Sequence, residues 1–290
     1  MRIENAKDHI GGIVHVDKAH MCDDDVVAAC REALEDRAVL VFPQINLTDA
    51  EQLAFTDKFG ERVKFTGTVP GGEDREDDQL YKITLDRKFN KEPDYVLGTF
   101  FWHIDGVTID QPLPKATFLS ARILSPTGGQ TEFTNTMAAY AALPEETKQR
   151  IADLKVIHRM EASMRPLYHT EMPAERLERY RSMASWMVHP LVWTQKSGKK
   201  SLVLGTHADE IVGMSIPEGR ALLTELTEWC AQKQFTYRHE WQVGDFVVWN
   251  NCGAMHRVIP YPDDCPRMMH RTTIMGTERL GVPWVAAQAA

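Results

Sequence analysis

His103 and Asp105 stand one residue apart, and His256 lies far downstream with Arg267 shortly beyond it. Two imidazoles and one carboxylate form a facial ligand set that holds non-haem Fe(II) on one side and leaves three positions open. Alternate residues of an extended strand project the same way, so His103 and Asp105 can meet one ion. A long return path then brings in His256. The open positions suit a bidentate 2-oxo acid and dioxygen, and an arginine soon after the last ligand suits the distal carboxylate of that acid. Singly, each piece is ordinary. A His-x-Asp triplet arises by chance in many chains, and His256 alone reads as a surface or satisfied core histidine. Weight comes from the ordered combination with Gly128-Gly129-x-Thr131, Arg267 and Arg271.

The elements that must position these residues are mixed. Asp23 to Arg37 has Val26, Val27, Cys30 and Leu34 at helical spacing behind an acidic first turn. Ala38 to Phe42, closed by Pro43, reads as a buried strand. Thr48 and Glu51 form a capping box that opens a helix to about Phe59. Leu80 to Trp102 and Lys115 to Leu124 look strand-like. In the second run Thr117, Leu119 and Ala121 alternate with Phe118, Ser120 and Arg122, which suits a strand inside a double-layered barrel. Met137 to Leu143, Pro144 to Leu154 and Pro217 to Gln232 predict helices, and 159–188 predicts a helical insertion. The chain ends in strands around Val247, His256 and Met268 to Met275. Strand runs with helices outside them imply an α+β domain built round a jelly roll. No linker divides it, so residues 1–290 read as one domain, with an active-site lid expected near 64–100.

On these residues the chain resembles the taurine dioxygenase and dichlorophenoxyacetate dioxygenase family of Fe(II)/2-oxoglutarate enzymes, closer to the phenoxyacetate branch. The matches are ordered over nearly the whole chain. They run from Ala38-Val39-Leu40-Val41-Phe42-Pro43 and Gln52-x-x-Ala54-Phe55-x-x-x-Phe59-Gly60 to Phe101-Trp102-His103-x-Asp105 and Gly128-Gly129-x-Thr131-x-Phe133. Then come Gly244-Asp245-x-x-x-Trp249-x-Asn251 ending at His256, and Arg267-x-x-x-Arg271-x-Thr273. The resemblance implies a double-stranded β-helix with flanking helices. It implies His103, Asp105 and His256 as iron ligands, and Arg267 with Thr131 on the 5-carboxylate of 2-oxoglutarate. Arg271, His207 and Thr99 then fall at the primary substrate. Arg271 shares a strand face with Arg267, roughly 13 Å along it, and His270 between them should point away. Asn250-Asn251-Cys252 stands where relatives mostly carry an Asp-Asn-Arg run, a departure expected to touch no ligand.

The expected reaction couples decarboxylation of 2-oxoglutarate by dioxygen to hydroxylation of a small organic carboxylate, such as an aryloxyalkanoate. Carbon–oxygen cleavage follows where the attacked carbon bears an ether oxygen. A sulfonate substrate is the alternative, and His207 favours the carboxylate. A zinc hydrolase, or a metal-binding jelly roll without oxidative chemistry, could use the same triad. Arg267 with Thr131 discriminates, since a hydrolase has no use for a 5-carboxylate pocket. Bulk properties agree. A net charge of −8 with no Lys/Arg-rich run disfavours nucleic acid and anionic membranes. Five cysteines without paired CxxC spacing disfavour a disulfide framework and favour a reducing compartment. No signal peptide or membrane-spanning run is visible, so a cytoplasmic homo-oligomer is expected.

Overall fold

The computed structural model describes residues 1–63, 80–90, 93–168, 171–184 and 186–284. In chain order its strands are β1 (Arg2–Asn5), β2 (Gly12–His15), β3 (Val39–Phe42), β4 (Tyr81–Ile83), β5 (Ala116–Ile123), β6 (Thr131–Asn135), β7 (Lys155–His158), β8 (Met187–Pro190), β9 (Val192–Thr194), β10 (Lys200–Leu202), β11 (Ala208–Ile211), β12 (Thr236–His239), β13 (Phe246–Asn250), β14 (Ala254–Val258), β15 (Met268–Ile274) and β16 (Val282–Pro283). The helices are α1 (Asp24–Arg37), α2 (Asp49–Phe59), α3 (Pro93–Leu97), α4 (Thr136–Ala141), α5 (Glu145–Ile151), α6 (Met160–Met164), α7 (Ala174–Met183) and α8 (Ile216–Cys230).

A seven-stranded sheet runs β1-β2-β3-β13-β5-β15-β4, antiparallel except where β2 meets β3. Smaller sheets run β12-β6-β14 and β11-β7-β8-β16, and β9 pairs with β10. The strands of the large sheet are apolar on both faces, and each face meets a different partner. Leu40, Phe42, Phe118, Phe246 and Val248 pack with Val27, Cys30 and Leu34 of α1 and Phe55 of α2. The alternate residues Val39, Val41, Leu119, Val247 and Trp249 turn inward to Phe133 of β6 and Ala254 of β14. A two-residue period buried on both faces therefore makes the double-layered α+β jelly roll that the sequence predicts. Thr48 caps α2 as expected: its Oγ1 accepts from Glu51 N at 3.2 Å, and its own N–H donates to Glu51 Oε2 at 2.7 Å.

The stretch from Leu80 to Trp102 departs from expectation. Among its described residues only Tyr81–Ile83 is strand; α3 and a 3-10 turn over Gly98–Phe100 follow. Pro93 presets the helical φ for α3. The preceding polar turn is closed by Asp86 Oδ1 accepting from Lys88 N at 2.9 Å and by Asn90 Nδ2 donating to Thr84 O at 3.0 Å. Residues 64–79 and 91–92 of the lid expected near 64–100, Lys64 among them, lie outside the described residues. The insertion at 159–188 does contain helices, α6 and α7. Asp94 of α3 accepts from Arg176 and Tyr180 of α7 at 3.2 and 3.3 Å, which ties these short helices together.

Candidate active site

His103 sits on a two-residue bridge, not on a strand. Its N–H donates to His256 O at 3.0 Å, and His256 N–H returns the bond to His103 O at 2.9 Å. Asp105 lies just beyond, where the chain turns through Gly106. The strand alternation expected for His103 and Asp105 is therefore replaced by a bridge and a turn, yet their side chains converge. One ligand-type atom from each of His103, Asp105 and His256 lies within 4.8 Å of the other two, and all three residues are buried. The imidazole centroids are 4.1 Å apart.

The donors are poised for a divalent ion. His103 Nδ1 donates to Phe101 O at 2.8 Å, which leaves the Nε2 lone pair for a metal. Burial holds both His103 and His256 below the usual imidazole range, His256 strongly so, with the His103 ring adding to the effect on His256. Both are therefore neutral, as a ligand must be. Burial alone would raise the Asp105 carboxyl, but Arg271, the two histidines and the Thr117 hydroxyl outweigh it and hold the group well below the ordinary carboxylate range. A buried neutral–neutral–anionic set, with His256 Nε2 facing Asp105 Oδ1 at 3.9 Å, fits Fe(II).

A chain of hydrogen bonds stands behind Asp105. Trp249 Nε1 donates to Asn251 Oδ1 at 3.0 Å, Asn251 Nδ2 to Thr117 Oγ1 at 3.0 Å, and Thr117 Oγ1 to Asp105 Oδ2 at 2.8 Å. The Asn250-Asn251-Cys252 run, expected to touch no ligand, thus reaches one through a single hydroxyl. Motif reading missed Thr117, and it found Asn251 in a matched run without giving it a place at the site. The available signal was Thr117, a polar residue on the inward face of β5.

Arg267 is 1 % exposed. Its Nη2 donates to Gly129 O at 3.1 Å, its guanidinium lies 4.8 Å from the Tyr261 ring centroid, and its Nε has no partner. Among the described residues it has no carboxylate partner. A guanidinium buried in this way is costly unless an anion joins it. Arg267 precedes a register shift between Met268 and Met269, so strand alternation does not link it simply to Arg271. Thr131 opens β6 two residues after Gly129, and its Oγ1 accepts from Trp241 Nε1 at 2.9 Å. That bond leaves the Thr131 proton to donate elsewhere. Trp241 is another residue that motif reading missed.

Arg271 turns to the metal side, with Nη2 3.1 Å from Asp105 Oδ2. His270 points the other way, as expected, with Nδ1 2.8 Å from Asp49 Oδ1 on α2. Arg271, His103 and Asp105 line one cavity together with His207 and Thr99. The His207 ring centroid is 6.5 Å from that of His103, and burial pushes its pKa down to about 3. Gly205 brings this segment against the bridge: a Cβ there would lie 2.8 Å from Trp102 O and 3.0 Å from the His103 Cα. Thr99 sits in the 3-10 turn, and its hydroxyl donates to Val96 O at 2.6 Å, so it is not a strand residue.

The model of the taurine catabolism dioxygenase TauD, TfdA family matches residues 3–273. An alpha-ketoglutarate-dependent 2,4-dichlorophenoxyacetate dioxygenase of Burkholderia sp. (strain RASC) is 35 % identical over 84 % of this chain and 83 % of its own. An alkylsulfatase of Acinetobacter baylyi is 32 % identical over 89 % of this chain and 80 % of its own. Among solved structures, AAD-2 in complex with Mn(II) and N-oxalylglycine superposes with a TM-score of 0.78 at 34 % identity, covering 98 % of this chain and 99 % of its own. The matched span runs through the whole metal corner and both arginines. The chain is a 2-oxoglutarate-dependent dioxygenase that works with Fe(II), and it belongs to the TauD, TfdA family.

Proposed function

We propose that His103, Asp105 and His256 hold the iron, that Arg267 and Thr131 bind the 5-carboxylate of 2-oxoglutarate, and that Arg271 and His207 receive the acid group of a small organic carboxylate of the aryloxyalkanoate kind. The observation that carries the co-substrate half is Arg267, buried beside Gly129 with no carboxylate partner among the described residues. For the substrate half it is the cavity in which Arg271 and His207 face the same space as the iron ligands.

The iron, when bound, supplies the site at which 2-oxoglutarate and dioxygen react and a substrate C–H bond is hydroxylated. The protein's own groups do the rest. Thr117 fixes the Asp105 carboxylate at one oxygen, and Phe101 O fixes the tautomer of His103. Arg271 is positioned to anchor an acid while remaining against Asp105. His207, neutral at ordinary pH, offers one donor and one acceptor, with Nδ1 awaiting a partner. Thr99 contributes wall, because its proton is committed to Val96 O. Where the acid carries an ether oxygen on the hydroxylated carbon, the hemiacetal collapses and the C–O bond breaks.

We also infer a cytoplasmic setting, supported by five free cysteines at positions 22, 30, 230, 252 and 265. A homo-oligomer without nucleic-acid or membrane partners is the corresponding assembly; light scattering tests it. No helix among the described residues is long and apolar enough to cross a membrane.

Succinate release from 2-oxoglutarate, measured with Fe(II) and ascorbate across a panel of small acids, tests the reading. Aryloxyalkanoates should drive release and sulfonates should not. Arg271→Gln should cut productive turnover steeply, and amidating the substrate acid should then hurt the parent strongly and the variant little. Equal losses in both would place acid recognition elsewhere.

A further inference from the structure

Much of the remaining wall of the substrate cavity is apolar. It is built from Met160 and Met164 of α6, Met183 of α7, Ile104 and Ile109. Of the polar side chains beside them, Ser163 Oγ donates to Met160 O at 2.7 Å and Thr99 donates to Val96 O, while Tyr95 and Thr108 also line the cavity. Gly98 completes the wall, because a Cβ there would meet the Met164 methyl at 2.9 Å. Thioether and aliphatic groups select an apolar, polarisable tail.

The enclosed space is small. Its volume is about 80 Å³, whereas an apolar cavity of roughly 150 Å³ is the size that holds a benzene ring. It therefore has room for an acid group and the carbon beside it, not for the ring as well. A groove of about 630 Å³ adjoins it, and Thr108, Ile109, Met183 and Ala184 line both. Trp186, Pro283 and Trp284 line that groove too, beside Asp110 and Arg181, whose charges are paired with Arg279 and Glu161. The backbones of Trp186 and Trp284 are joined by Trp284 N–H donating to Trp186 O at 2.7 Å.

We infer that the substrate tail leaves the cavity between Ile109 and Met183 and lies along Trp186 and Trp284, so that this enzyme is selective for acids with an extended apolar tail. The inference rests on the carboxylate chemistry proposed above and goes beyond it in naming the exit, the groove and the shape of the tail. Met183 and Trp284 are its specificity-determining residues.

The test uses phenoxyacetates with a para substituent growing from hydrogen to methyl, ethyl, propyl and butyl, so that the acid and the attacked carbon never change. Binding is read by tryptophan fluorescence on protein loaded with Mn(II) and N-oxalylglycine, and turnover by succinate release from the iron-loaded protein. Affinity should rise roughly fourfold per methylene once the chain crosses the exit, the value expected for burying one methylene. In Trp284→Ala the long-to-short ratio should fall about tenfold or more. Met183→Trp should narrow the exit and reverse the order of the series. If affinity and turnover drop as soon as the para position is filled, the tail is held in a closed cavity and the inference is overturned while the carboxylate reading stands. The same holds if the series rises but neither variant changes its slope. If no member binds or drives succinate release, the carboxylate reading itself fails and takes the inference with it.

Discussion

The metal face and the remaining wall of the cavity are built differently. Each element of the metal face is tied by hydrogen bonds to a sheet: His103 and His256 by reciprocal backbone bonds, and Asp105 by Thr117 of β5, itself held by Asn251. The other wall comes from short helices: α6 and α7 meet the cavity through methionines, and α3 through Tyr95. Closely packed sheets hold an arrangement to fractions of an ångström. Methionine-rich helices can repack, since volume-conserving swaps there are tolerated. On the proposed roles, the candidate metal ligands and the contacts with a substrate's tail thus sit on separate parts of the molecule. Damage to the first should remove all chemistry whichever acid is offered; change in the second should re-rank the acids.

The largest effect is expected at the triad. Asp105→Ala or His256→Ala should abolish iron retention and turnover while the far-ultraviolet dichroism stays that of the parent. An Asp105→Ala protein with about one iron per chain and full activity would break the comparison at its root. Next comes Arg267→Ala. Losing a charge-assisted contact in a buried site costs about 2–5 kcal/mol, or roughly 30- to several-thousand-fold in the 2-oxoglutarate requirement. An unchanged 2-oxoglutarate constant in a titration would show that the two arginines have other roles.

Smaller still is Thr117→Val, which keeps the shape and removes only the bond to Asp105. Hydrogen-bond partners of metal ligands are typically worth about 10–100-fold in metal affinity, so competitive chelation should detect a loss in that range. If affinity is unaltered, the metal face does not depend on its sheet in the way described. The gentlest test is pH. Burial keeps His207 neutral down to about 3, below its ordinary 6.5. Its contribution to stability is complete above about 6.5 and is withdrawn as pH falls toward 3, because the unfolded chain takes up the proton first. In metal-free protein, His207→Gln should therefore lower the slope of unfolding stability against pH in that window. An identical slope would contradict the buried neutral state.

How much of this was legible follows the same division. Of the large sheet, β5 declared itself by its two-residue period and β3 by its apolar run closed by Pro43, whereas β1 and β2 went unread, and Thr48 and Glu51 announced α2. The triad candidates stood out through their ordered combination with Gly128-Gly129-x-Thr131, Arg267 and Arg271, since the His-x-Asp pair alone is commonplace. Leu80 to Trp102 misled because Leu80, Ile83, Leu85, Val96 and Leu97 supply apolar residues without saying that Pro93 opens a helix. The site contacts of Thr117, Asn251 and Trp241 escaped because each bonds to a residue far away in the chain, and singly each looks like any strand or loop residue. The methionines of α6 and α7 were seen only as composition; their common cavity is a property of how two short helices cross.

The bond between His103 and His256 has a further consequence, for the order of events in the cell. Neither segment can present its imidazole correctly without the other. A chain emerging from synthesis therefore lacks the cluster proposed to hold iron until β14 has been made and has returned to residue 103 across everything between them. Metal uptake then falls late, on a nearly complete barrel, and the ion acts as a clasp on a very long chain closure. Starving cells of iron should accordingly yield an intact but more easily opened protein that accepts the metal afterwards, not a misfolded one.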